Sequence, residues 1–167
     1  MFIILKIFLD ICLFRRGPQD LPVSAFFFGI VLVANAVVGL IILSMEAPFL
    51  AAVPQFLVSI ALLAGFSWIV LALSGRTIRF RQTLCALLGV DTVISLAALP
   101  FLVWISLNQN FGLAYYILIA SMFWSVAVVG HIIRHALSSP YLFGLGLSIL
   151  YFLASFKVMV YLFPVVR

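Results

Sequence analysis

Acidic residues are scarce in this chain: Asp and Glu together number 4 of 167, charged residues of both signs make up 8%, and there are 2 cysteines. Soluble domains carry roughly 25% charged residues, so a water-exposed surface of ordinary composition is excluded. No HExxH, GxSxG or glycine-rich phosphate loop occurs, and no apolar stretch holds the two or more carboxylates with which a metal-dependent lipid transferase grips its divalent ion. Cys12 and Cys85 fall in or beside segments expected on the cytoplasmic side, where disulfides are rare, and read as small apolar residues. No polar stretch is long enough to form a separate soluble domain.

What fills the chain instead is hydrocarbon. Hydrophobic residues make up 67% of it, with 17 Phe, and the mean hydropathy is +1.39. About 20 apolar residues rising 1.5 Å each cross the core of a bilayer, and the apolar stretches here reach that length repeatedly. The composition thus predicts an all-α, polytopic membrane protein. A net charge of +5 would suggest nucleic acid in a soluble protein. Here the basic residues flank the apolar stretches, where they orient the chain and meet anionic headgroups, so the lipid bilayer is the expected partner and nucleic acid is not.

Residues 1–16 resemble a signal peptide in outline, but Lys6 and Asp10 interrupt the apolar run and no small-residue cleavage site follows. At spacing i and i+4 these two form a narrow polar stripe, which predicts an interfacial amphipathic helix, too short to span, with its connector over 1–21. Five spans follow within 22–167, at about 22–44, 52–73, 84–106, 112–133 and 140–163. Asp20 is expected to cap the first of them with Pro22 in its first turn, and Ser139 to cap the fifth with Pro140 following. Asn108-Gln109-Asn110 is a neutral turn. Placing residues 1–21, the loop around Arg76 and the loop around Arg134 inside collects Lys6, Arg15, Arg16, Arg76, Arg79, Arg81 and Arg134 on one side, and leaves Lys157 and Arg167 opposite. The five spans then run from an inside N-terminus to an outside C-terminus, in what the pattern suggests is a bacterial cytoplasmic membrane. Arg15, Arg16, Arg76, Arg79, Arg81 and Arg134 are the expected headgroup contacts.

Asp91 is the sharpest candidate for chemistry, because a carboxylate at the centre of a spanning helix costs about 2.5–3.5 kcal/mol on insertion scales and turns toward the protein interior. It suits a proton or ion relay. The reading favoured over that is a structural carboxyl paired with His131, Arg81 or Arg134, or protonated and bonded to a serine of a neighbouring span. Ser95 lies one turn on. In the fourth span Ser121, Ser125, His131 and His135 recur at helical spacing and offer a matching face, and Asn35 adds one polar group to the first span. Asp91, Ser95, Asn35, Ser121, Ser125 and His131 therefore make up the candidate intramembrane polar site. His131 and His135 at i and i+4 are half a metal site, and two ligands do not complete one; no cofactor is expected. Lys157 is too far along the fifth span to pair with Asp91 and can snorkel outward past Tyr161. Small residues at helical spacing, Asn35-xxx-Gly39, Ala61-xxx-Gly65 and Gly144-xxx-Ser148, read as ordinary helix packing.

The run Ile78-Arg79-Phe80-Arg81-Gln82-Thr83-Leu84, entering a span with Pro100 late in it, resembles the segment before the third helix of bacterial Yip1-domain membrane proteins. Phe123-Trp124-Ser125 through His131-Ile132-Ile133-Arg134-His135-Ala136-Leu137-Ser138-Ser139 is similar to that family's fourth helix and its basic return loop, and the likeness covers roughly 75–163. The resemblance implies a membrane-embedded, non-catalytic protein. The family's eukaryotic members are associated with vesicle trafficking and small GTPases through much longer cytosolic N-terminal regions, and no site residue carries over. The expected function is a scaffold or assembly protein that acts through other membrane proteins or self-association. The alternative is a small transporter or channel subunit using Asp91, and a lipid-modifying enzyme comes third. Convergence of Asp91, Asn35, Ser121 and His131 on one cavity would favour transport; isolated pairs buried among Phe and Leu would favour a scaffold.

Overall fold

The computed structural model describes residues 2–22, 24–46, 48–107 and 112–163; the neutral turn at 108–110 and Arg167 lie outside them. Among the described residues every regular element is helical: α1 (Phe2–Cys12), α2 (Ala25–Glu46), α3 (Phe49–Leu73), α4 (Phe80–Leu107), α5 (Gly112–Leu137) and α6 (Tyr141–Leu162), with 3-10 turns at Pro18–Asp20 and Thr77–Arg79. The five helices α2 to α6 are long and apolar enough to span a membrane, as an integral membrane protein requires.

Two helix caps differ from expectation, one because its side chain is engaged elsewhere and one because the helix begins a residue later. Asp20 does not cap α2: its carboxylate accepts the Gly17 N–H at 3.2 Å, closing its own 3-10 turn. Ser24 takes the capping role, with its carbonyl accepting from Phe28 at 3.0 Å and its hydroxyl from Phe27 at 3.5 Å, so Pro22 lies ahead of the helix. At α6 the N-cap is Pro140, with no side-chain cap bond, and the Ser139 hydroxyl is buried without a partner. The fourth span also outruns its expected end by one turn, closing on Ser138 in the left-handed region at φ 48°, with the Ser139 N–H returning to the Arg134 carbonyl at 3.0 Å.

Helix α4 is the centre of the bundle and packs on α2, α5, α3 and α1, while α6 is held chiefly by α5. Between lipid-immersed helices no water is released on contact, so close packing and interhelical hydrogen bonds do the stabilising. The α5–α6 seam shows both. A Cβ on Gly144 would lie 2.4 Å from the Gly130 carbonyl oxygen, so only glycine lets the two backbones meet. One turn on, the fully buried Ser148 reaches the Val126 carbonyl across the seam at 3.0 Å. Gly144-xxx-Ser148 is thus a true packing motif. Ala61-xxx-Gly65 is not, since nothing lies within 4 Å of a Cβ built on Gly65.

The N-terminal segment is built into the bundle more deeply than an add-on surface helix. Phe8, Ile11 and Cys12 of α1 are buried in the same core as Leu84, Leu87, Leu88, Val128 and Ile132 of α4 and α5. Phe8 stacks on Phe27 of α2 with ring centroids 6.0 Å apart, and it occupies the space a side chain at Gly89 would need, 2.1 Å from that missing Cβ. Gly89 stands eight residues beyond Arg81, roughly 12 Å along α4 by the helical rise. After α1, Phe14 adopts a left-handed φ of 61°, which costs a non-glycine residue on the order of 1–2 kcal/mol. Its ring is held edge-on by Trp124 at 5.4 Å and His131 at 5.1 Å, both on α5, and these contacts offset that strain. The expected Lys6 and Asp10 stripe is reorganised: Asp10 pairs with Arg16 at 3.4 Å, folding the segment's end back on itself, and Leu9 and Leu13 are exposed on its outer side.

All three basic segments gather at one end of the bundle. Arg76 donates to the Ser138 hydroxyl, joining the α3–α4 loop to the α5–α6 turn, and Gln82 donates to the Leu21 carbonyl at 3.3 Å, joining the N-terminal connector to α4.

Candidate functional site

The polar residues of the bundle's middle are assembled by α2 and α4. Asn35 is buried, at 4% exposure, and its amide nitrogen donates to Asp91 Oδ2 at 2.9 Å, Thr92 Oγ1 at 3.2 Å and the Leu88 carbonyl at 3.3 Å. The orientation of that amide is forced. The Leu88 carbonyl can only accept, and the Thr92 hydroxyl has already given its proton to the same carbonyl at 2.7 Å, so the NH2 group must face this side. Asn35 thereby crosslinks α2 to α4 and aims one oxygen of the Asp91 carboxyl group.

Asp91 is exposed, and the surface it exposes lines a cavity of about 260 Å³. Asn35, Ser95 and Ser125 line the same cavity, as do Ser59 of α3 and Tyr151 of α6; the remaining wall is apolar, including Phe56, Ile60 and Phe152. Its outer lining reaches Ile42 and Leu43 near the end of α2 and Met159 near the end of α6, so it runs from the middle of the bundle toward the end opposite the basic loops. Toward the basic end it is closed by the core that α1 completes.

The partner of Asp91 is therefore an amide, and not the Ser, His or Arg that charge and depth suggested. His131 and Arg134 are engaged elsewhere, by the segment after α1 and by the α5–α6 turn, and Arg81 points out at the basic end. His131 Nε2 meets the Arg16 carbonyl at 3.0 Å, fastening the segment after α1 to α5. Arg134 donates to His135 Nε2 at 3.3 Å and lies over the Tyr141 ring at 5.5 Å. Arg81 is exposed beside Pro22, Gln82 and Cys85, and Arg15 is exposed. Among the described residues the one ion pair is Asp10 with Arg16, so no cation of this chain is described against Asp91.

The serine face expected on α5 is divided. Ser125 lines the Asp91 cavity, whereas Ser121 lines a separate apolar groove with Cys12, Ile94 and Trp124; with His131 held by the Arg16 carbonyl, the expected convergence of Asp91, Asn35, Ser121 and His131 is met by the first two alone. Both hydroxyls are satisfied by carbonyls of their own helix, Leu118 for Ser121 at 2.8 Å and Met122 for Ser125 at 2.7 Å. Three participants were not singled out from the sequence: Thr92, Ser59 and Tyr151. Tyr151 had a legible signal, since it sits near the middle of its span while Tyr115, Tyr141 and Tyr161 lie near span ends where tyrosines usually anchor. Both cysteines are free and buried, and burial pushes the Cys12 thiol up to about 11. Among the described residues no three His, Cys, Asp or Glu side chains gather as metal ligands.

No protein-family model matches this chain, and no curated protein or solved structure resembles it significantly. Fold and site alone therefore define its class: a helical polytopic membrane bundle with a carboxyl group at the floor of an intramembrane cavity.

Proposed function

We propose that this chain is a small, non-catalytic transporter or channel subunit in which Asp91 holds a cation or a proton. The observation that supports this reading is the solitary carboxyl group. An ionised carboxylate at mid-bilayer is costly without a counter-charge, and the side-chain partner described for Asp91 is the neutral amide of Asn35. Neutralisation then falls to a proton or to a cation that enters through the cavity. Aromatic and hydroxyl groups around it, Tyr151, Ser59, Ser95 and Ser125, supply further ligands without competing charge.

In this reading the basic end faces the cytoplasm of a bacterial cell, following the bias of Lys and Arg. The cavity opens outward, and α1 lies as a half-inserted interfacial helix that seals the inner half while Lys6 and Arg15 reach the headgroups. A scaffold role is the second reading. It is favoured by the closed core at the basic end and by the apolar side that α6 leaves uncovered at Leu142, Phe143, Leu150, Leu153 and Phe156, where other membrane proteins or a second copy can pack. The likeness to Yip1-domain proteins points the same way.

Purified protein in liposomes, with a potassium diffusion potential imposed and an internal pH- or sodium-sensitive dye, tests the proposal. Flux above protein-free liposomes that is abolished in Asp91→Asn, with the variant folded and losing less than about 1 kcal/mol of stability, is the expected result. Flux that is absent, or indifferent to Asp91→Asn, removes the transport reading and leaves the scaffold.

A further inference from the structure

The structure assigns a second site at the basic end: a pocket for a phosphomonoester dianion, built where the N-terminal connector, the α3–α4 loop and the α5–α6 turn meet. The pocket has a volume of about 360 Å³ and is lined by Gln19, Arg79, Arg134, His135, Ser138 and Ser139. That is near the lower bound of small-molecule sites, roughly 300 Å³, and suits one phosphate with part of the group it esterifies. Every lining side chain can donate a hydrogen bond, two are permanent guanidinium cations, and none is acidic. Asp20 does not line the pocket: its carboxylate accepts the Gly17 N–H, although it stands near enough to His135 to act on it electrostatically.

Three details separate this pocket from a loose basic surface. Ser139 Oγ lies just beneath the pocket wall without a partner, an arrangement that costs on the order of 1–3 kcal/mol and that a rotation of the hydroxyl toward a bound oxygen would relieve. Arg134 is fixed in place, stacked over Tyr141 and bonded to His135. That bond uses one of its five N–H groups and leaves the rest to a ligand. Because His135 Nε2 accepts that bond, its other ring nitrogen carries the proton and is itself a donor. Arg79 is exposed at the pocket and makes no described side-chain hydrogen bond or ion pair, and Arg76 steadies the adjacent Ser138 from the neighbouring loop.

Two sources supply such a dianion, a lipid with a terminal phosphate and free phosphate or a soluble monoester. Ile78, beside Arg79, is 97% exposed and Leu73 at the end of α3 is 85% exposed, so apolar groups flank the charged loop as they do where a protein meets acyl chains.

The test uses the full chain in a neutral maltoside detergent, with thermal unfolding followed against short-chain phosphatidic acid, phosphatidylcholine and inorganic phosphate. Saturable stabilisation by phosphatidic acid and not by phosphatidylcholine is expected. Arg79→Gln should weaken it about tenfold or more, the loss of one charge-assisted contact, while Lys157→Gln, an exposed cation toward the opposite end of the bundle, leaves it unchanged. Ser139→Ala provides a second arm: it should weaken binding while the ligand-free protein melts no lower than the parent, because the hydroxyl it removes has no partner to lose. Stabilisation by inorganic phosphate to the same extent identifies the phosphate alone as the ligand, and stabilisation by the lipid only identifies a lipid site. Equal effects of Arg79→Gln and Lys157→Gln, stabilisation by phosphatidylcholine as strong as by phosphatidic acid, or no saturable response to either phosphate probe would overturn the assignment.

Discussion

The two halves of this bundle are made from the same apolar alphabet but are finished differently. At the basic end, α1 lays Phe8 against Gly89 and Phe27 while Phe14 reaches Trp124 and His131, and the helices close on a continuous core. At the other end no such strap exists among the described residues, α2, α3, α4 and α6 stand apart, and the gap is the cavity of about 260 Å³ with Asp91 at its floor. Space in a membrane bundle is therefore decided by what is laid across the helices as well as by the helices themselves. The polar residues sit where the closed half stops.

The largest effect is expected from breaking the closed half. Gly89→Leu puts a branched side chain where the Phe8 ring lies and should cost on the order of 2–3 kcal/mol by overpacking, with α1 released. Cys12 reports on it. Its thiol, raised to about 11 by burial, is almost wholly protonated and slow to react at pH 7.5. Release returns it toward the ordinary thiol value of 9.0, so the thiolate fraction at that pH rises about a hundredfold. Maleimide labelling of Cys12 in a Cys85→Ala background should accelerate accordingly. Unchanged labelling would mean that Phe8 can leave without the rest of α1, and that the strap is not what closes this half.

A smaller effect is expected from the joint between the halves. Asn35→Leu removes the group that ties α2 to α4 and leaves Asp91 without its described partner; interhelical hydrogen bonds in membranes are worth about 0.6 kcal/mol on average and up to roughly 1.7. Three acceptors converge on this one amide, which places the expected loss toward the upper figure. Asp91→Asn, which keeps an acceptor oxygen for Asn35, should cost less than half as much in the same thermal melts. Equal losses would show that the charge of Asp91, and not the geometry of the amide, holds the joint.

The spans, their number and the collection of basic segments at one end were legible because they depend on local properties: run length, hydropathy and the positions of nine Lys and Arg residues. Asp91, Asn35, Ser95 and Ser125 were legible as polar exceptions, and four of the six candidate residues share one cavity. What could not be read is pairing across helices. The choice of Asn35 over His131 or Arg134 as partner for Asp91 depends on which faces α2 and α4 present to each other. His131 was unavailable because the carbonyl of Arg16 holds its Nε2, a contact between residues 115 positions apart. The depth of α1 was missed for a related reason. Lys6 and Asp10 read as a solvent stripe by spacing alone, while the cleft that receives Phe8 exists only because Gly89, deep in another span, has no side chain. Ser139 was misread by a single residue of helix register, and that one position separates a capping serine from an unpartnered one.

The most direct test is access to the cavity from the end opposite the basic loops. A single cysteine introduced as Ser59→Cys, in a background where Cys12 and Cys85 are alanine, should be modified by water-soluble methanethiosulfonates. At a pH alkaline enough to ionise Asp91, the trimethylammonium reagent should react about tenfold faster than the sulfonate relative to their rates with a free thiol, a preference of about 1.4 kcal/mol set by the carboxylate on the same cavity wall. Adding Asp91→Asn should remove most of that preference without stopping the reaction. A cysteine at this position that resists both reagents, or that reacts with both at rates Asp91→Asn does not alter, would contradict a hydrated cavity governed by Asp91.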